Sequence, residues 1–417
     1  MRKLSWLTAP ILATSLLLPT NASAATPSEG VACSKVGLIS TAGIKKFTCI
    51  RSGKKKVWDK GVTVSNTKYS VAYPVEGPYG ITWENIVSKF NDISAASWVD
   101  AQATIKRNQI LPNAGHNLYS YISPGALKVD PLIGQAGDLI KRVFSLFARF
   151  PSYPKVYFVG LTTAEREETE KNLLTTYNVT FINRSIDSMY GINSNSPAGS
   201  VFSAPQCGDN DSGRNIFTST EAAVIVGVCP SRDGRDVHIE GVHAMAHEYI
   251  HMVQSAFAPG REYPKLPCWT IEGEPEWGQA AVSENFSDYL KVQHLHPYRL
   301  TQTGLNYEDT TAREWSAPEV TQYLNDSLNI STCSNTNQYA YSYSLGAATT
   351  EALVSIGGSE SIFALHQRLV NHMPYEQAFR EVYGITWAQA LPILSQVVAK
   401  KITLSWQSSA LTYQTKP

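Results

Sequence analysis

Five consecutive residues, His247-Glu248-Tyr249-Ile250-His251, restrict the fold of this chain more than any other stretch. Two histidines four apart reach one point only if the segment is helical, because positions i and i+4 share a helix face. A neutral imidazole offers one lone pair, so two aimed at one point form a metal-ligand arrangement. Glu248 follows His247 directly, near enough for its carboxylate to reach a water on that metal. Histidines on a helix are more often ordinary core or surface residues, so the flanks decide. Tyr249, Ile250, Met252 and Val253 give the segment apolar surface to bury, and an apolar strand precedes it. A buried helix carrying His247, Glu248 and His251 is therefore expected. The rest of the chain must supply a third ligand and a cleft.

The chain begins with an export signal. Arg2 and Lys3 precede an apolar run from Leu4 to Leu18, then Pro19 and Ala22-Ser23-Ala24. A basic start, apolar middle and A-x-A end form a secretory signal peptide, here residues 1–24, with cleavage after Ala24. The run is too short for a comfortable membrane anchor, and no other stretch approaches spanning length. A secreted, extracellular product is expected, in one version held at the cell wall. Lys plus Arg number 35, as do Asp plus Glu, so the whole chain has no electrostatic footprint for nucleic acid or a membrane surface.

Six cysteines, Cys33, Cys49, Cys207, Cys229, Cys268 and Cys333, suit disulfides in an exported chain. Neighbour pairing is the preferred reading: Cys33–Cys49, Cys207–Cys229 and Cys268–Cys333. No C-x-x-C pair supports thiolate metal ligation instead.

Residues 28–62 form a small basic unit in which eight Lys and Arg face only Glu29 and Asp59. Short strands, two cysteines and Trp58 predict a tiny disulfide-clamped β module, since so few residues build little core. It resembles Cys/Lys/Gly modules appended to secreted bacterial proteins. Its charge suits an anionic cell-wall polymer, or simply a solvated spacer. Residues 63–78 read as a linker, and 79–417 as one larger domain.

In that domain the pattern is helical from Ile81 to Tyr119 and again from Asp130 to Phe150. Lys155–Leu161 and Ala222–Cys229 read as strands. Thr163 suits a helix N-cap, with Glu165 and Glu167 in the first turn. Asp209-Asn210-Asp211-Ser212-Gly213 lacks the Gly and Glu positions of a calcium loop and reads as a surface loop. Residues 340–356, 359–371, 374–383 and 386–401 are helical, separated by Gly357-Gly358, Pro374 and Gly384. This order predicts an α+β fold with a mixed sheet.

The third ligand comes from Trp269-Thr270-Ile271-Glu272-Gly273-Glu274-Pro275-Glu276. With His247-Glu248-x-x-His251 this segment resembles the gluzincins, zinc metallopeptidases of clan MA, and in particular their aminopeptidase-like branch. Gln254 and Phe257 stand where three-histidine zincins need Gly and His, which excludes that class. Glu274 is a rival ligand, but two positions from Glu272 it points elsewhere on a helix. The resemblance spans about residues 130–400 and implies a zincin-like bilobal fold, with a sheet-bearing N-terminal lobe and a mostly helical C-terminal lobe. It implies one Zn2+ per chain held by His247, His251 and Glu272, and Glu276 orienting a zinc histidine. It also implies Glu248 as general base and Tyr343, in Tyr339-Ala340-Tyr341-Ser342-Tyr343-Ser344-Leu345-Gly346, as oxyanion donor. The expected activity is peptide-bond hydrolysis, by a zinc-activated water, of a peptide or protein substrate. No G-A-M-E-N-like segment precedes His247, so the likeness does not extend to reading an amino terminus. His243, four residues before His247, lacks a following carboxylate, and the remaining histidines, His366 among them, read as ordinary. A wall-associated binding or adhesion protein on the same scaffold is the competing expectation. Glu248 discriminates, because binding has no use for a general base. No G-x-S-x-G points to a serine hydrolase.

Overall fold

The computed structural model describes residues 27–42, 45–63, 80–111, 117–165, 168–169, 171–172, 212–216, 221–228, 237–257, 266–294, 315–329, 333, 336–371 and 373–414. The expected signal peptide, nearly all of the linker, Cys207, Cys229, Glu167 and Asp209-Asn210-Asp211 lie outside the described residues. Contacts divide the chain into two units, Met1–Ser65 and Asn66–Pro417.

The first unit is an antiparallel sheet of β1 (Ile39–Ala42), β2 (Lys45–Ser52), β3 (Lys55–Trp58) and β4 (Val62–Thr63). Strand β2 pairs with all three others. Gly53, at φ 62°, makes the two-residue turn between β2 and β3, where a positive φ matches the strand twist. Phe47, Cys49 and Trp58 form a buried apolar cluster, with Cys33 packed against it. Cys33–Cys49 closes a separation of 16 residues, worth about 3 kcal/mol in the chain-entropy account. That suits so small a core. Asp59 is turned inward, accepting from the backbone N–H of Thr48 at 3.1 Å and of Gly61 at 2.8 Å. On the outside, Arg51 lies directly opposite Lys56 across the ladder, a like-charge pairing that disfavours the sheet.

The second unit is α+β. Helix α1 (Ile93–Asn108) leads to β5 (Asn117–Ile122), α2 (Pro124–Val129), α3 (Ala136–Leu146) and β6 (Lys155–Leu161). Strands β7 (Ser212–Ile216) and β8 (Glu221–Gly227) complete a sheet of order β5-β6-β8-β7. It is mixed: β5, β6 and β8 run parallel, and β7 is antiparallel to β8. Apart from their first residues, β6 and β8 are buried throughout, as strands covered on both faces must be.

Two local expectations are corrected. The helical reading from Ile81 to Tyr119 holds only over α1, Ile93–Asn108: turns and a 3-10 helix, Phe90–Asp92, precede it, and β5 begins at Asn117. Tyr119 there faces Tyr157 of β6 in register, rings stacked 5.2 Å apart, and cross-strand aromatic pairing outweighs local periodicity. The expected helix from Asp130 starts as a 3-10 turn, Pro131–Gln135, capped by Asp130 accepting from Leu132 N–H at 2.9 Å. Glu165 does stand in a first turn, that of the 3-10 helix Thr163–Glu165, with Thr162 Oγ1 donating to it at 2.6 Å. It reaches back to the start of α2, accepting from Ser123 Oγ at 2.5 Å and Gly125 N–H at 2.6 Å.

The remaining helices are α4 (Val237–Ala256), α5 (Cys268–Ala281), α6 (Phe286–His294) and α7 (Ala317–Asp326). Helix α8 (Thr336–Tyr341) passes through a π-helical turn, Ser342–Gly346, into α9 (Ala347–Gly357). Then come α10 (Ser361–Leu369), α11 (Tyr375–Tyr383) and α12 (Trp387–Gln414). The expected single helix over 340–356 is thus interrupted, and the last helix runs past 401. Gly384, at φ 80°, ends α11 in the left-handed region that favours glycine. Among the described residues no single helix is long and apolar enough to cross a membrane. One bent pair, Tyr375–Tyr383 with Trp387–Thr403, has the length and composition for it, yet its large apolar residues Phe379, Trp387 and Leu394 are buried in the core.

Candidate metal centre

Helix α4 is fixed to α3 by Tyr249, whose ring meets Phe144 edge-on at 4.7 Å. That anchor turns the opposite face of α4 towards α5. Helix α5 is buried almost from end to end, including Glu272, Glu274 and Glu276. It runs through Pro275, which lacks an N–H and ordinarily breaks or kinks a helix. Pro275 is nonetheless buried against its neighbours, so tertiary packing holds this turn.

Two glycines decide how closely other elements approach α5. A Cβ on Gly278 would collide with Ile250 of α4, and one on Gly273 would collide with the backbone of Gly346 in the π-helical turn. The turn therefore lies backbone against backbone on α5, one residue from Glu272. The Cys268–Cys333 disulfide ties the start of α5 to the segment leading into α8.

Three donor atoms converge where α4 faces α5. His247 Nε2, His251 Nε2 and Glu272 Oε2 are each 3.1 Å from the other two, and all three residues are buried. A tetrahedral ion with N and O bonds of ~2.0–2.1 Å spaces its ligand atoms about 3.3 Å apart. The chemistry of the set points the same way. His247 Nδ1 lies 3.2 Å from Glu276 Oε1, so a neutral ring keeps its proton there and turns a bare Nε2 to the triad. Two bare nitrogens and a carboxylate oxygen in mutual contact repel one another unless a cation sits among them. The donor set therefore fits zinc, which takes His and Glu ligands.

Without a metal, a proton fills that need. Burial alone would lower the His247 pKa from 6.5, but its contacts with Glu272 and Glu276 outweigh burial and raise it to about 10. Burial would raise the Glu272 carboxyl, yet the neighbouring His251 and His247 imidazoles hold it well below the usual carboxylate range.

The carboxylates are oriented in turn. Glu272 Oε1, the oxygen outside the triad, accepts from Tyr339 Oη at 2.6 Å. Tyr339 Oη also lies 3.1 Å from Tyr343 Oη. The Tyr343 ring stacks parallel to His247 at 6.1 Å between centroids, which puts it beside the three donors. Glu276 Oε2 accepts from Gln279 Nε2 at 2.8 Å. Glu248 follows His247 on α4, 9% exposed. Glu274, the rival ligand, faces away and meets His366 Nε2 at 2.9 Å. His243 lies one turn before His247 but bonds Ser283 Oγ at 3.1 Å, outside the triad.

The structure thus brings His247, His251, Glu272, Glu276 and Tyr343 together. Tyr339 is an addition. Its signal was present in the sequence, as a tyrosine four positions before Tyr343. Comparison with protein-family models, curated proteins and solved structures finds no match for this chain.

Proposed function

We propose that this chain is a secreted zinc-dependent peptidase of the gluzincin kind, with a zincin-like bilobal domain. The observation that carries the reading is the mutual 3.1 Å spacing of His247 Nε2, His251 Nε2 and Glu272 Oε2, with Glu248 next in the chain to one ligand. His247, His251 and Glu272 would hold the ion. When bound, zinc supplies Lewis-acid polarisation of a carbonyl and a water of lowered pKa.

The chain's own residues carry the rest. Glu248 takes a proton from the attacking water on its carboxylate and returns it to the leaving amine. Tyr343 Oη donates a hydrogen bond to the oxygen on which charge develops. Tyr339 holds Glu272 through Oε1 and leaves Oε2 to the triad. Glu276 keeps the His247 proton on Nδ1. Two disulfides among the described residues accord with export to an oxidising space.

Metal analysis and a peptide-library cleavage profile test the proposal. About one zinc per chain is expected, and Glu248→Gln should keep that zinc while losing turnover. Full turnover in Glu248→Gln would refute the base assignment.

A second reading concerns the N-terminal unit, which favours an anionic cell-wall polymer. Lys35, Arg51, Lys54, Lys55, Lys56 and Lys60 are exposed, whereas Asp59 is buried. The Arg51–Lys56 pairing disfavours the folded sheet until an anion lies across it. This serves a wall-attached enzyme or a wall-bound adhesion protein alike. Glu248, next in the chain to His247, favours the enzyme.

A further inference from the structure

His251 also needs an acceptor on its second ring nitrogen, and it finds one on its own helix. Its Nδ1 lies 3.0 Å from Gln254 Oε1. At ordinary resolution an amide can be turned either way, but here its surroundings leave one choice. Gln254 Nε2 lies 3.0 Å from the Thr270 carbonyl and 2.8 Å from Glu274 Oε2. A carbonyl only accepts, and so does a carboxylate, so the amide NH2 must face α5. The amide oxygen then faces His251, which must carry its proton on Nδ1 and leave Nε2 bare towards the triad.

Glu274 fixes Gln254 and is fixed from behind. Its other oxygen, Oε1, lies 2.9 Å from His366 Nε2 on α10. Gln254, Glu274 and His366 are all fully buried. Phe363 and Phe257 flank the His366 ring, with centroids 4.9 and 5.5 Å away. Three helices thus contribute one side chain each to a line that ends on a ligand. An unpaired buried carboxylate would be costly, and this one is bonded on both oxygens.

We propose that Gln254 is a positioning residue that sets the tautomer and ring orientation of His251, and that Glu274 with His366 holds the Gln254 amide in the required direction. This rests on the metal-site reading. It assigns roles to three residues that neither bind the ion nor touch a substrate. The two histidine ligands are then oriented differently, His247 by the Glu276 carboxylate and His251 by a neutral amide backed by the Glu274–His366 hydrogen bond.

The test is cobalt binding to purified full-length protein, read by chelator competition and by the ligand-field spectrum of the cobalt form. Gln254→Met keeps the length and burial of the side chain but removes the acceptor. The folded variant should lose about 10–100-fold in cobalt affinity, as loss of a supporting partner typically does, with a changed spectrum. A second variant, Glu274→Met, leaves the Gln254 acceptor in place but removes the oxygen that holds its NH2, leaving only the Thr270 carbonyl to fix the amide. It should lose affinity in the same direction as Gln254→Met, by a smaller factor, and shift the spectrum. A folded Gln254→Met with unchanged affinity and spectrum overturns the proposal. So does a folded Glu274→Met with unchanged affinity and spectrum, which also decides the matter if Gln254→Met does not fold. A wild type that takes up no cobalt overturns the metal reading and the relay with it.

Discussion

Gly273 of α5 and Gly346 of the π-helical turn meet backbone to backbone, with no room for a Cβ on either. Their contact lies one residue from Glu272 and three from Tyr343, so it sets the distance between a ligand and its neighbouring phenols. Gly346→Ala should cost about 3 kcal/mol, at the upper end for overpacking because the neighbour that must give way is the backbone at Trp269. The denaturant midpoint of the metal-free protein measures this. A midpoint unchanged from wild type would show that the two segments can separate without penalty.

Tyr339 and Tyr343 should separate by assay. Tyr339→Phe removes a donor to Glu272 Oε1 and should weaken zinc binding several-fold. Tyr343→Phe should leave affinity nearly intact and lower kcat about 100-fold, the lower end for an oxyanion donor. Chelator competition and steady-state kinetics on a cleaved peptide distinguish the two. Equal effects on affinity would remove the distinction between them.

Stability of the metal-free protein should depend on pH through the triad. The His247 pKa rises from 6.5 to about 10 on folding. Its contribution is therefore fully present below ~6.5 and is lost as pH rises through ~10. Glu272 is shifted down, so its contribution is present above its unfolded pKa and lost as pH falls below it. Thermal melting of chelator-treated protein should fall from neutral pH towards pH ~10, whereas the zinc-loaded form, in which metal replaces the proton, should change less. Parallel profiles for the two forms would contradict the cation requirement.

The N-terminal unit should bind a polyanion in a salt-dependent way. Lys54→Glu/Lys55→Glu in the full chain should weaken adsorption to an anionic cell-wall polymer at low ionic strength and leave the zinc content unchanged. Sedimentation with purified polymer reads the first and metal analysis the second. Unchanged adsorption would make the charge a solvated surface only.

Much of the centre is visible in the sequence because α4 compresses it into local spacing. His247 and His251 lie on one face at i and i+4, and so do Glu272 and Glu276 on α5. The strands at 155–161 and 221–227 were legible because burial on both faces leaves continuous apolar runs. What escaped reading depends on separation or on backbone detail. Gln254 stands 20 positions from Glu274, and Glu274 stands 92 from His366, so no periodicity connects them. His366 looks ordinary until α10 packs against α5. The π-helical turn replaces a helical stretch whose apolar pattern carries no mark of the change, and β5 pairs with β6, a partner outside any local window.

The bridge between Cys268 and Cys333 has one more consequence. It spans a sequence separation of 65 residues, with α6 and α7 inside the loop it closes. A peptidase of the kind proposed, working among other proteases, is exposed to backbone cuts. A single nick anywhere in that loop leaves Glu272 and Tyr343 within one covalent molecule, so the proposed centre outlasts damage to the chain that connects its halves.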